Sequence, residues 1–574
     1  MHPLRVETTK DTKDTSILFM FLIVSILYCL IFFGKSNHLE ATWDLNFHLA
    51  RIKGATTFFQ SPVNFKVFHQ HGYGVNWFYP FTIILPASFI FFLTGNIIFS
   101  YKVFIFLITF LTFIISYFCG KKFFKDDYAS LVFSFVYGLS SFRMSELFLR
   151  ADVAEMAAYS FLPMIFLGFY LMLDKNDKSG WKIFSIGICL VFFSHLLTLF
   201  ICAIFLGIIF FVCIFFNYKS ILNNFLPFLE KIIKSFITII FVNLAFLIPF
   251  LNQLSFQKLT KPFLGNMEGA AFFFGDELTN SLNYNLLSYS IGILGIISIL
   301  LPLTKISFFP SYMKLIFILS LVSLIMTTKL FPWFIFQNTY LNIIQFPMRF
   351  LGIQCLFGSV SLGEFAKIRS RLSSKKNENK YLYFLIILFL GITIGPENEL
   401  KRTLPKRVAY INIDNKTAQK QLQEEYNADY IPAKSGIYQK YLQNDLFYKK
   451  NRKWFHNNFK VTNKSFTTSY FSKDSKSSIL LPVYFYRGVQ VYRNGVRDRN
   501  VTDHQGLVLV RLKKKKNLIR VTYSNSIWQK ILLAISGFCF LTLILSSLPS
   551  SIKMKYKKMR LMLLRSDFFI KRAN

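Results

Sequence analysis

Between residues 40 and 54 the chain reads EATWDLNFHLARIKG. Asp44, His48 and Arg51 fall at i, i+4 and i+7, with Glu40 one step earlier, so a helix of about 15 residues brings them to one face. A carboxylate, an imidazole and a guanidinium on one face can deprotonate or orient a hydroxyl and hold an anion. The same residues also have a purely structural reading. In that reading Asp44 is the N-cap of the helix. Arg51 reaches along its own stem to lipid headgroups. His48 packs against Trp43 or the membrane surface. Both readings stay open at this level.

Four further stretches carry similar side chains. HQHGYGVNWFYPF, at 69–81, sets His69 and His71 in an H-x-H pair. On a strand both face one side, an arrangement that suits zinc, with the third ligand to come from His48, His195 or a carboxylate. RMSELFLRADVAEMAAYSFLP, at 143–163, places Arg150, Asp152 and Glu155 beside Arg143 and Glu146, between two apolar segments. Ionisable groups at a membrane boundary must be solvated, paired or functional, so this is an internal ion-pair cluster or part of a site. Ser194 and His195 interrupt the long apolar run 183–216, as a plain turn between two helices or as a site element. Arg349, in NIIQFPMRFLG, opens an apolar segment, where a guanidinium suits a bound phosphate or the phosphates of lipid.

The elements that must position these residues belong to a membrane protein. Of 574 residues, 53% are hydrophobic and 71 are Phe, too apolar for an ordinary soluble protein. Apolar segments at 17–33, 79–94, 98–118, 129–142, 156–173, 183–216, 235–251, 286–303, 314–328, 346–362, 381–395 and 528–547 predict a mainly α, polytopic bundle of about 12–13 spans. The run Ser16 to Phe33 is too long for a signal peptide and lacks a small-residue cleavage site, so it reads as a retained helix. The net charge of +37 sits in loops and a tail, where it orients the chain in a membrane; nucleic acid is excluded as a partner. The seven cysteines all lie in apolar segments, which excludes a disulfide-stapled domain and a Cys-based zinc site.

Basic loops set the sides. The stretch 364–380 and the tail 548–574 read as cytoplasmic, as does 121–127. Loops 34–78, 143–155, 252–285, 329–345 and 396–527 then fall outside, together with the turn at His195, provided that 79–94 is re-entrant; Pro80 and Pro86 favour such an irregular path. The expected organisation is a transmembrane domain at 1–395 and an extracytoplasmic mixed, β-rich domain at 396–527. A final span at 528–547 and a basic cytoplasmic tail at 548–574 complete it. In the outer domain SSILLPVYFY, VQVYRNG, GLVLVRL and LIRVTYS read as strands, with RNG at 493–495 as a hairpin turn. Its basic surface suits anionic lipid headgroups or an anionic wall polymer, or serves solubility alone.

The order WDLNFHLARI, YGVNWFYPF, RADVAEMAAYSFLPM, SHLLT, QFPMRFL, with NADYIP and the strand motifs of 481–524, resembles the bacterial membrane proteins labelled 6-pyruvoyl-tetrahydropterin-synthase-related. The resemblance covers nearly the whole chain and rests on the order of the motifs. That architecture in turn looks like glycosyltransferases of the GT-C type, which use polyprenyl-phosphate-linked sugars. The resemblance implies that Asp44 is the first-loop acidic residue acting on the acceptor hydroxyl. Arg150 or Arg349 would hold the donor phosphate. His48 and Glu155 would shape the site or contribute to an optional divalent metal; the sidedness of the loops, apart from the resemblance, adds Arg51, Asp152 and His195 as substrate-binding candidates on the same outer side. A second carboxylate beside Asp44 is not evident in the sequence, a departure from many such enzymes. The implied partners are a polyprenyl-phosphate sugar donor, a cell-envelope acceptor and membrane lipids, at the cell membrane. Two other readings compete: a carrier for lipid-linked intermediates, and a non-catalytic envelope protein that presents its basic β-domain.

Overall fold

The computed structural model describes residues 4–34, 36–223, 225–372, 378–407, 411–449, 454–475 and 477–548. The apolar segments of the sequence all fall on helices there, and the run 183–216 divides into Gly180–Phe192 and Leu196–Asn223 at His195. Among the described residues, six helices are long and apolar enough to cross a membrane: Asp14–Phe33, Ile97–Phe124, Val153–Met172, Leu196–Phe216, Phe225–Leu254 and Ile527–Ser547. Four shorter apolar helices accompany them: Thr82–Thr94, Gly180–Phe192, Gly292–Leu303 and Ser311–Met326. Fewer helices therefore meet the length requirement than the sequence has apolar segments.

The apolar surface explains the layering. Val153–Met172 is the central helix, with 83% of its apolar window buried, against 11% for Ile527–Ser547 and 17% for Phe225–Leu254. The peripheral helices turn Phe211, Phe215, Phe236 and Phe538 outward, a surface that only lipid can cover at low free energy. Gly168 lets the central helix touch its neighbour Gly180–Phe192, because a Cβ there would meet Phe184 N at 2.4 Å. Leu85–Thr94 rises only about 15 Å, half the hydrocarbon thickness. It turns through Gly95 at φ 65° into Ile97–Phe124 and packs against it.

The β-rich region holds two antiparallel sheets. In one, Phe459–Val461, Ser465–Ser472, Lys515–Tyr523, Val489–Arg493 and Val496–Asp498 follow in spatial order. In the other the order is Tyr448–Lys449, Ser478–Tyr484, Leu507–Arg511, Thr502–His504. The expected RNG hairpin is present, with Asn494 at φ 53° and Gly495 at φ 85° joining two paired strands. The expected domain edge at 395/396 lies inside a helix: Glu378–Arg407 runs on through Pro396 and Pro405. After it, Ile411–Asp414 pairs with His38–Ala41 of the first loop. The β-rich region is thereby tied to one end of the bundle, where Tyr73 Oη also donates to Asp429 O at 2.7 Å and Tyr484 N–H to His71 O at 3.0 Å. Residues 373–377 of the basic loop 364–380, and 549–574 of the tail, lie outside the described residues.

Candidate functional site

At that same end of the bundle, Ser145–Arg150 forms a π-helical turn and Ala151 follows in the left-handed conformation, φ 64°. Such widened turns recur at functional sites. The Glu146 carbonyl accepts the backbone N–H of Ala151 and of Asp152. Asp152 then caps Val153–Met172, accepting the Glu155 N–H at 3.0 Å. The first loop is laced to this turn: Thr42 N–H donates to Leu149 O at 2.6 Å and Asp44 N–H to Arg150 O at 3.1 Å. Backbone hydrogen bonds thus deliver the Asp44 carboxylate to the Arg150 guanidinium.

Arg150 is the hub. Its Nε donates to Asp44 Oδ2 at 2.7 Å. Nη1 lies 3.4 Å from Glu146 Oε1 and 3.5 Å from Glu155 Oε2, and Nη2 lies 3.6 Å from Asp152 Oδ2. Arg349 Nε reaches the same Glu155 oxygen at 3.2 Å, while its Nη1 donates to Ile344 O and Gln345 Oε1, each at 2.7 Å. His48 Nε2 sits 3.3 Å from Asp152 Oδ1. His195 pairs its Nδ1 with Thr198 Oγ1 at 2.9 Å, and its ligand atom lies within 4.8 Å of those of Asp152 and Glu155. Asp44, with 30% of its side chain exposed, is the group most open to solvent; the rest are buried. A small cavity with room for about one water lies deeper, between Glu155, Arg349, Tyr159 and Thr198.

Pairing makes this density of charge tolerable. Burial pushes the Glu146 carboxyl well above its ordinary range, and the charge of Arg150 works the other way. Burial also acts against Asp152, but the hydrogen bond from His48 and the charge of Arg150 outweigh it and hold that carboxyl well below the usual range. Burial lowers His195, which is therefore neutral. For Arg150 burial opposes the charge, and Glu146, Asp44 and Asp152 overcome it. Four helices begin at this point: Leu45–Ala55, Val153–Met172, Leu196–Asn223 and Leu351–Leu372. Their positive ends favour anions here. Trp43, Ala151, Tyr289 and Gln345 all have φ between 47° and 67° around the cluster, a concentration of backbone strain that marks a held geometry.

The sequence reading meets this geometry unevenly. Asp44, His48, Arg150, Asp152, Glu155, His195 and Arg349 come together. Asp44 stands at the N-cap position, yet its side chain makes no capping hydrogen bond and serves Arg150 instead. Arg51 does not reach headgroups: it is fully buried, 4.0 Å from the Tyr79 ring centroid, and donates to the Pro80 carbonyl. His69 and His71 stand apart, on a 3-10 turn and not a strand, and their carboxylate partner is Asp445. Residues that sequence reasoning passed over include Glu146 as an Arg150 partner, and Glu425 and Asp429, which lie near enough to feel the charge of Asp44. Burial, followed by the charge of Asp44, pushes Glu425 up to about 7 and raises Asp429. Asp152, Glu155 and His195 are the residues that could hold a divalent ion here, with His195 Nε2 left free by the Thr198 bond.

Fold and site together define a multi-pass membrane protein with a charged, guanidinium-centred site at the end of its bundle. Residues 75–397 match the family described as 6-pyruvoyl-tetrahydropterin synthase related domain, membrane protein, and the chain belongs to that family. The match includes Glu146, Arg150, Asp152, Glu155, His195 and Arg349; Asp44, His48 and most of the β-rich region lie outside it. No curated protein and no solved structure matches the chain.

Proposed function

We propose that the protein is a glycosyltransferase of the GT-C type, acting at the outer face of the cell membrane on a polyprenyl-phosphate-linked sugar and a cell-envelope acceptor. The observation that carries this reading is the continuous contact chain Asp44–Arg150–Glu155–Arg349 at the starts of four helices. Two guanidiniums and four positive helix ends suit a phosphate.

Asp44, the most open carboxylate, takes the acceptor proton as the acceptor oxygen bonds to the anomeric carbon. The sugar–phosphate C–O bond breaks, and its electron pair leaves with the polyprenyl phosphate held by Arg150 and Arg349. His48 is a positioning residue through Asp152, and Arg51 positions Tyr79. A divalent ion on Asp152, Glu155 and His195 would neutralise the leaving phosphate further. The test is transfer by the full-length protein in lipid nanodiscs, supplied with polyprenyl-phosphate sugars. Release of free polyprenyl phosphate is expected from wild type and is lost in Arg349→Ala; equal release from both overturns the assignment.

A further inference from the structure

Away from that cluster, His69, His71 and Asp445 form a second group of ligand atoms, all within 4.8 Å of one another. Phe68, His69 and Gln70 have φ of 56°, 53° and 62°, three consecutive side-chain-bearing residues in the left-handed region. The loop that contains them is closed by a two-way backbone pairing of Asn64 with Tyr73, at 2.9 and 3.1 Å. This conformation stacks the two imidazoles, with centroids 5.6 Å apart at 27°. Asp445, itself at φ 53°, arrives from the turn after Gln439–Leu442. Its Oδ1 lies 2.8 Å from His71 Nε2 and 3.9 Å from His69 Nδ1.

Among the described residues no lysine or arginine forms an ion pair with Asp445. Zinc–ligand distances of about 2.0–2.2 Å put tetrahedral ligand pairs about 3.3–3.5 Å apart. The present 2.8 and 3.9 Å lie on either side of that spacing, and the part-exposed Asp445 carboxylate can adjust to it.

We infer that His69, His71 and Asp445 bind one zinc ion, with water in the fourth position, and that this ion clips the loop leading to Trp77 and Tyr79 onto the β-rich region. The site is independent of the proposed transferase chemistry. Its role is structural linkage: the ion joins residues 374 apart in sequence, at a junction where Tyr484 N–H also bonds His71 O.

The experiment is zinc quantification by mass spectrometry on full-length protein, purified in detergent with a tag that contains no histidine, loaded with zinc chloride and desalted. Wild type is expected to retain about one zinc per chain. Retention falls about tenfold or more in His69→Gln and in Asp445→Asn. Both variants alter part-exposed side chains, and a gel-filtration profile like that of wild type verifies their fold. Glu155→Gln keeps its zinc, which separates this site from the Asp152–Glu155–His195 group. Wild type without zinc after loading, or full zinc retention in His69→Gln and Asp445→Asn, overturns the inference.

Discussion

Among the described residues, two groups of metal-type ligands lie at the same end of this bundle, and they are built in opposite ways. Asp152, Glu155 and His195 are buried at the starts of helices, and their carboxylates are already engaged by Arg150 and Arg349. His69 and Asp445 stand at positive φ and are partly open, His71 beside them is buried, and an imidazole is each carboxylate contact. The contrast teaches what each can do. A carboxylate that shares its oxygen with two guanidiniums can exchange partners, so the first group suits a phosphate or ion that comes and goes. A carboxylate among imidazoles has no built-in cation, so the second suits a resident ion.

The harshest way to break the comparison is Arg150→Ala. It leaves Asp44 without its guanidinium and takes one cation away from both Asp152 and Glu155, and should lower stability by about 3–5 kcal/mol. Thermal unfolding in detergent measures the loss, and any folded fraction keeps its zinc at His71. Arg349→Ala removes one guanidinium from Glu155 but leaves Arg150 in place, so a smaller loss of about 1.5–3 kcal/mol is expected in the same assay.

Glu425→Gln sharpens the comparison through pH. The folded protein holds the Glu425 proton up to about 7, above the ordinary value of 4.5. The native state therefore binds that proton more tightly than the unfolded chain does. The associated stability is full below about 4.5 and is lost as pH rises through 7. Unfolding curves at pH 5 and pH 8 should show wild type losing roughly 1–2 kcal/mol that Glu425→Gln does not lose. Asp44→Asn has the smallest expected effect on stability, about 1 kcal/mol, because the amide oxygen can still accept from the part-exposed Arg150.

How much of this was legible depended on distance along the chain. The strands of the β-rich region were readable because Lys515–Tyr523 alternates inside and outside and Asn494–Gly495 is a turn pair. Asp44 and His48 were readable by helical spacing, and Arg150, Asp152 and Glu155 by the cost of charge beside a span. Arg51 went astray because Tyr79 and Pro80, folded back from the same loop, offer its guanidinium a ring and a carbonyl. The expected boundary at 395 follows the end of the apolar segment, whereas the helix itself runs on through Pro396 to Arg407. Asp445 and Glu425 were out of reach, since no periodicity links residues hundreds of positions apart.

The central claim is that Asp44 acts on the acceptor in a reaction served by Arg150 and Arg349. Glycan analysis of the cell envelope, in a strain lacking this gene and complemented with wild type or Asp44→Ala at matched membrane abundance, tests it most directly. The account predicts that wild type restores a missing sugar modification and that Asp44→Ala does not. Full restoration by Asp44→Ala would contradict it.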